Sequence, residues 1–205
     1  MEIRPSRVLK LKNINKNMNK NMNKKIIIAI FIALIGASFR IFLNEKISIP
    51  NFEAVTSLSL LSGSFLGGIF GGITSLLMIF FSDLYLGNTQ IYLFTWSAFI
   101  LIGILGSLIK NNSKKYILKI TGMGVLSVLF FFLWTNFGWW LISGMYEMSF
   151  LGLIKCYIAG LAFLRNQMAS VLIFTPAFGL IFSFFSRKIF SIYPRMNIVK
   201  KTSNL

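Results

Sequence analysis

Apolar residues run along this chain in long blocks separated by short polar clusters, the pattern of helices that cross a bilayer rather than of helices that line a soluble core. The first block, Ile26 to Leu43, approaches the roughly 18 residues that a helix rising about 1.5 Å per residue needs to span. A polar segment follows, Asn44 to Glu53, and Pro50 within it predicts a loop. Further spans are predicted from Ala54 to Leu66 and from Gly71 to Tyr85. Between them the cluster Gly63, Gly67, Gly68, Gly71 and Gly72 allows close helix approach and a tight turn. A fourth span runs from Ile91 to Ile109 and a fifth from Ile120 to Leu141. The last apolar stretch, Phe150 to Phe185, is interrupted by Arg165, Asn166 and Gln167. It reads as a short helix to Leu164 at the outer face followed by a sixth span from Met168. The alternative, two full spans, places the C-terminus on the outer side. The expectation is an all-α, polytopic membrane protein with six transmembrane helices over residues 26–186, flanked by a disordered basic tail over 1–25 and a second basic tail over 187–205.

Charge fixes the sidedness of that arrangement. Of 21 basic residues, eight precede Ile26. Lys110, Lys114, Lys115 and Lys119 mark one loop, and Arg187, Lys188 and Arg195 mark the end of the chain. Lys and Arg favour cytoplasmic flanks, so six spans place both termini in the cytoplasm, in a multi-pass protein of the cell membrane. The inner side then holds all of the formal net charge of +16, while the outer half is balanced: Arg40, Lys46, Lys155 and Arg165 against Glu45, Glu53, Asp83 and Glu147. The basic N-terminal run lacks the small-residue cleavage site of a signal peptide, and Met18 and Met22 are alternative starts.

Composition removes several classes of chemistry. The chain has no histidine and one cysteine, Cys156, which leaves no intrachain disulfide and no Cys-based zinc motif. No paired-aspartate motif, no phosphate-binding glycine loop after a strand and no nucleophile beside a plausible base is present. No enzyme activity, metal or cofactor is expected, and no nucleic-acid partner.

Recognition chemistry concentrates instead in three polar and aromatic segments of the outer half. They are Pro50-Asn51-Phe52-Glu53, Ser82-Asp83-Leu84-Tyr85, and Thr135-Asn136-Phe137-Gly138-Trp139-Trp140. Polar groups at membrane depth are costly unless they pair or line a cavity, so these segments are expected to form an outward-facing pocket. Asp83 contacts ligand or forms an ion pair with Arg40 or Arg165, and Arg40 near the end of its span either joins the pocket or snorkels to the surface. Asn136 needs hydrogen-bond partners. Trp139, Trp140 and Tyr146 read equally as interfacial anchors. Cys156 is read as a packing residue.

Ala29, Ala33 and Ala37 recur at four-residue spacing along one face of the first helix, a groove for another helix inside or outside the chain. With its six-helix plan, this alanine stripe and its sidedness, the chain resembles the substrate-binding S components of energy-coupling factor (ECF) transporters. More narrowly, Pro50-Asn51-Phe52, Ser82-Asp83-Leu84-Tyr85-Leu86-Gly87, the run Thr135 to Leu141, Cys156-Tyr157 and Arg165-Asn166 resemble an uncharacterised family of short bacterial membrane proteins described as transport proteins. The chain departs from that family's pattern at Ala162 and Val171, where the family has a proline and an acid. The resemblance implies a subunit that takes up a vitamin or related micronutrient, with substrate held near the outer face. On this chain the residues expected to bind it are Asn51, Glu53, Asp83, Tyr85, Asn136, Trp139, Arg165 and Asn166. It also implies docking of Ala29, Ala33 and Ala37 on a transmembrane coupling subunit that works with two ATPase subunits. A solitary or secondary transporter, and a non-transporting membrane scaffold, are the alternatives.

Overall fold

A computed structural model describes residues 5–192, with side chains described for residues 16–185. Six helices make up this part of the chain: α1 (Pro5–Lys46), α2 (Val55–Leu66), α3 (Gly68–Leu86), α4 (Tyr92–Gly106), α5 (Tyr116–Ile142) and α6 (Phe150–Ile192). Residues 16–46, 68–86, 116–142 and 150–185 form helices long and apolar enough to cross a membrane. The two remaining predicted spans are shorter. With 12 and 15 residues, α2 and α4 extend about 18 and about 22 Å, less than the ~30 Å of a bilayer core.

Two expectations are corrected at the ends of the chain. The segment expected as a disordered tail over 1–25 is helical from Pro5, continuous with the apolar helix it precedes. Lys, Met, Leu and Ile sustain a helix well, and extending one already formed requires no new nucleation. Residues 1–4 lie outside the described residues. The stretch from Phe150 onward is one 43-residue helix, not a surface helix and a separate span. Arg165, Asn166 and Gln167 are polar but include neither glycine nor proline, and polarity alone does not end a helix. This helix also takes in the start of the basic tail expected over 187–205, of which residues 193–205 lie outside the described residues.

The short helix α2 is the centre of the bundle and packs against all five others. Ten of its 12 residues are buried, on every side of the helix. Its turn into α3 uses a single residue, Gly67, at φ 104°, a conformation that favours glycine. Lys25 of α1 closes this turn, donating to the Leu66 carbonyl at 2.8 Å and lying over the Phe70 ring. Beside it the backbones of α2, α3 and α4 come close: a side chain on Gly103 would fall on the Gly71 carbonyl, and one on Gly106 on the Leu60 carbonyl.

The alanine stripe of α1 lies inside the bundle. Ala29, Ala33 and Ala37 retain 2%, 0% and 4% of their exposure, and Gly36 on the same face lies against Met78 of α3 and Leu58 of α2. The stripe therefore packs against this chain's own helices. The same face continues to Arg40, three residues past Ala37 and four past Gly36, and so carries that guanidinium into the bundle.

Candidate functional site

At the end of the bundle where α1 stops and α2 begins, a cavity of about 190 Å³ opens among side chains from every helix except α2. The last turns of α1 give it Arg40 and Asn44, and the connection to α2 gives Ile49, Asn51, Phe52 and Glu53. Ile79 and Asp83 come from α3, and Gly87, Asn88 and Thr89 from the loop that follows. Thr95 and Phe99 of α4, Phe131 of α5 and Gln167 of α6 complete it.

Two polar networks meet here. In the first, Arg40 Nη1 and Asp83 Oδ1 form an ion pair at 2.5 Å, and the same nitrogen donates to the Ser82 hydroxyl. Asp83 Oδ2 accepts from the indole N–H of Trp96 at 2.8 Å. Both oxygens of Asp83 are thus engaged, and its side chain is 7% exposed against 25% for Arg40. Of the alternatives left open for Asp83, pairing with Arg40 is realised at the cavity wall.

In the second network Glu53 caps the start of α2. The Thr56 backbone N–H donates to its Oε2 at 3.1 Å, and the Thr56 hydroxyl donates to Oε1. The Gln167 amide reaches both Glu53 Oε1, at 3.3 Å, and the Thr56 hydroxyl, at 3.2 Å. Burial pushes the Glu53 carboxyl above its ordinary range, opposed by the bonds from Thr56 and Gln167 and by the charge of Arg40. The folded protein consequently holds a proton on Glu53 more readily than the unfolded chain does. This contribution to stability is fully present below the ordinary carboxyl value of 4.5 and declines as pH rises through the raised value. Glu53→Gln is expected to flatten that decline in the unfolding temperature recorded from about pH 4 to about pH 8; an unchanged slope would assign it to another group.

Of the residues expected to bind substrate, Asn51, Glu53 and Asp83 line the cavity, and the others do not. Asn51 adopts a left-handed backbone at φ 58°, which asparagine tolerates better than most residues. Tyr85 is exposed and donates to Glu45 at 2.7 Å. Asn136 satisfies itself on its own helix, its amide donating to the Phe132 carbonyl, and packs on Gly160 of α6. Trp139 follows Gly138, which is pressed against the Phe94 ring of α4. In α5 it is Phe131 that reaches the cavity, while the polar run after it is engaged with α4 and α6. Trp140 donates to the Glu147 carbonyl, and Cys156 is buried with its thiol 3.4 Å from the Asn136 carbonyl. Arg165 is exposed. Asn166 reaches only the rim, donating to the Pro50 carbonyl at 3.0 Å.

Sequence reading passed over Gln167 and Trp96. Gln167 is 1% exposed and shares a face of α6 with Ser170, Val171 and Thr175, all fully buried. A helix turns about 100° per residue, so Arg165, two positions earlier, is carried to roughly the opposite side. The polar periodicity of 167, 170 and 175 is the signal that marks Gln167 as the inward residue. Trp96 carried no such signal, since only the α3–α4 hairpin brings it to Asp83.

No curated protein and no solved structure matches this chain. A family profile matches residues 19–195, and the chain belongs to the Family of unknown function (DUF6580).

Proposed function

We propose that the protein is a solute-binding subunit of a membrane importer, capturing a small micronutrient of the vitamin class from outside the cell as the ECF S components it resembles do. The observation that carries this reading is the cavity, which gathers three charged side chains, several amides and hydroxyls, and three aromatic rings at one end of an apolar bundle. A few placed polar groups among apolar walls is the usual make-up of a small-molecule site. In this reading both termini are cytoplasmic and the Lys46 end of the bundle faces outward, in keeping with the distribution of Lys and Arg. A coupling subunit and two ATPase subunits supply the energy.

The test uses a plug at the rim. Asn88 is an exposed loop residue that lines the cavity, so Asn88→Trp obstructs the space without disturbing the core. Mass spectrometry of the purified protein is expected to identify one co-purifying small molecule, lost about tenfold or more from the variant, with uptake in cells falling in parallel. Equal retention of the molecule and equal uptake by the plugged variant would remove the cavity as the binding site.

A second reading is a solitary transporter working without an ATPase module. The buried alanine stripe favours it, because the helix face that would dock on a coupling subunit is covered by α2 and α3. Uptake by cells lacking any coupling subunit separates the two.

A further inference from the structure

The charged groups lining the cavity are Arg40 from α1, Glu53 from the α1–α2 connection and Asp83 from α3, whereas α4, α5 and α6 present only neutral side chains to it. Arg40 and Asp83 neutralise each other, and Trp96 occupies the second oxygen of Asp83. This leaves Glu53. Its Oε1 takes the Thr56 hydroxyl and the Gln167 amide, but among the described residues Oε2 accepts only the Thr56 backbone N–H. A carboxylate oxygen has room for a second donor. With Glu53 ionised the cavity therefore has a formal charge of −1 and one acceptor atom still open.

The remaining walls match a positive guest. Phe52, Phe99 and Phe131 line the cavity, and aromatic faces attract cations. Its volume of about 190 Å³ corresponds to about six waters at ~30 Å³ each, room for a molecule of on the order of six to ten non-hydrogen atoms. A carboxylate-bearing guest would be repelled by Glu53 and would have to displace Asp83 from Arg40.

We propose that this cavity selects a compact organic monocation, a protonated amine or ring nitrogen on a flat apolar body, with Glu53 as its counter-ion. The assignment rests on the solute-capture reading above and narrows it to one charge class. Because the guest requires Glu53 ionised, its affinity falls as pH is lowered through the raised range of that carboxyl.

Benzylammonium, benzyl alcohol and benzoate share size and shape and differ in charge, which makes them suitable probes for calorimetric titration of the purified full chain. Benzylammonium is expected to bind most tightly, by about tenfold or more. Glu53→Gln, folded by circular dichroism, is expected to erase that preference, and Glu53→Asp to weaken binding while keeping the charge order. Tighter binding of benzoate or benzyl alcohol overturns the cation assignment and leaves the cavity as a solute site. Undiminished binding of benzylammonium by Glu53→Gln removes Glu53 as the counter-ion. Failure of all three probes also overturns the assignment, and the co-purifying molecule then decides the capture reading on its own.

Discussion

Gly103→Ala is expected to destabilise the bundle by about 3 kcal/mol or more, and Gly103→Leu to leave no folded protein. A methyl group at this position falls on the Gly71 carbonyl and on the Ser75 hydroxyl, and a side chain placed on Gly71 or Gly63 would likewise fall on the Gly103 carbonyl. The obstacles are mostly backbone, which cannot turn aside as a side chain can. Relief requires α2, α3 and α4 to separate, and that opens the core around fully buried Leu60, Met78 and Ile102. Gly122 of α5 is the control, since a side chain there meets open space. Gly122→Ala is expected to be neutral or stabilising by up to about 1 kcal/mol, as alanine is the better helix former. Thermal unfolding in detergent compares them, and equal loss at the two positions would refute the close-packed seam.

Asp83→Ala is expected to cost about 3 kcal/mol, near the lower end for a broken buried ion pair because Arg40 keeps 25% of its exposure. The variant strands the Arg40 guanidinium and the Trp96 indole N–H together, since Asp83 is the acceptor for both. The double variant Arg40→Leu, Asp83→Leu removes the charge along with its partner and is expected to recover most of that loss. Solute retention should follow a different course. Both side chains line the cavity, so the double variant is expected to regain stability without regaining its co-purifying molecule. Recovery of both would make the pair purely structural, and recovery of neither would mean that the loss did not come from the unpaired charge.

The sequence was most legible where one physical signal dominated. Apolar block length located α2 to α5 to within a few residues, because water and lipid differ so strongly as solvents for a side chain. A polar cluster is a weaker signal: Arg165-Asn166-Gln167 lies inside one helix, because polarity alone removes no backbone hydrogen bond. For the site, Asn51, Glu53 and Asp83 were found because they flank spans and carry polarity into apolar surroundings. Asn136 and Trp139 carry the same signal, yet Asn136 packs on α6 and the glycine before Trp139 is seated against α4, and helix pairing cannot be read from one chain's composition. The stripe at Ala29, Ala33 and Ala37 had two readings on spacing alone. Extending it to Gly36 and Arg40 shows what that face accomplishes, for only small residues bring α1 close enough to α3 for Arg40 to meet Asp83.

The unbroken length of α6 would magnify any bend within it. Pro176 lacks the N–H that would bond the carbonyl four residues earlier, so it is the softest point of the rod. Gln167 lies nine residues before it, roughly 14 Å along the axis, and Phe150 about 39 Å. A bend of about 10° at Pro176 would shift Gln167 by about 2 Å and the Phe150 end by about 7 Å. The smaller displacement would be enough to part Gln167 from Glu53, and the larger would have to carry along the stretch of α5 packed on α6, so any bend at the proline would be felt both at the cavity wall and along the α5–α6 pair.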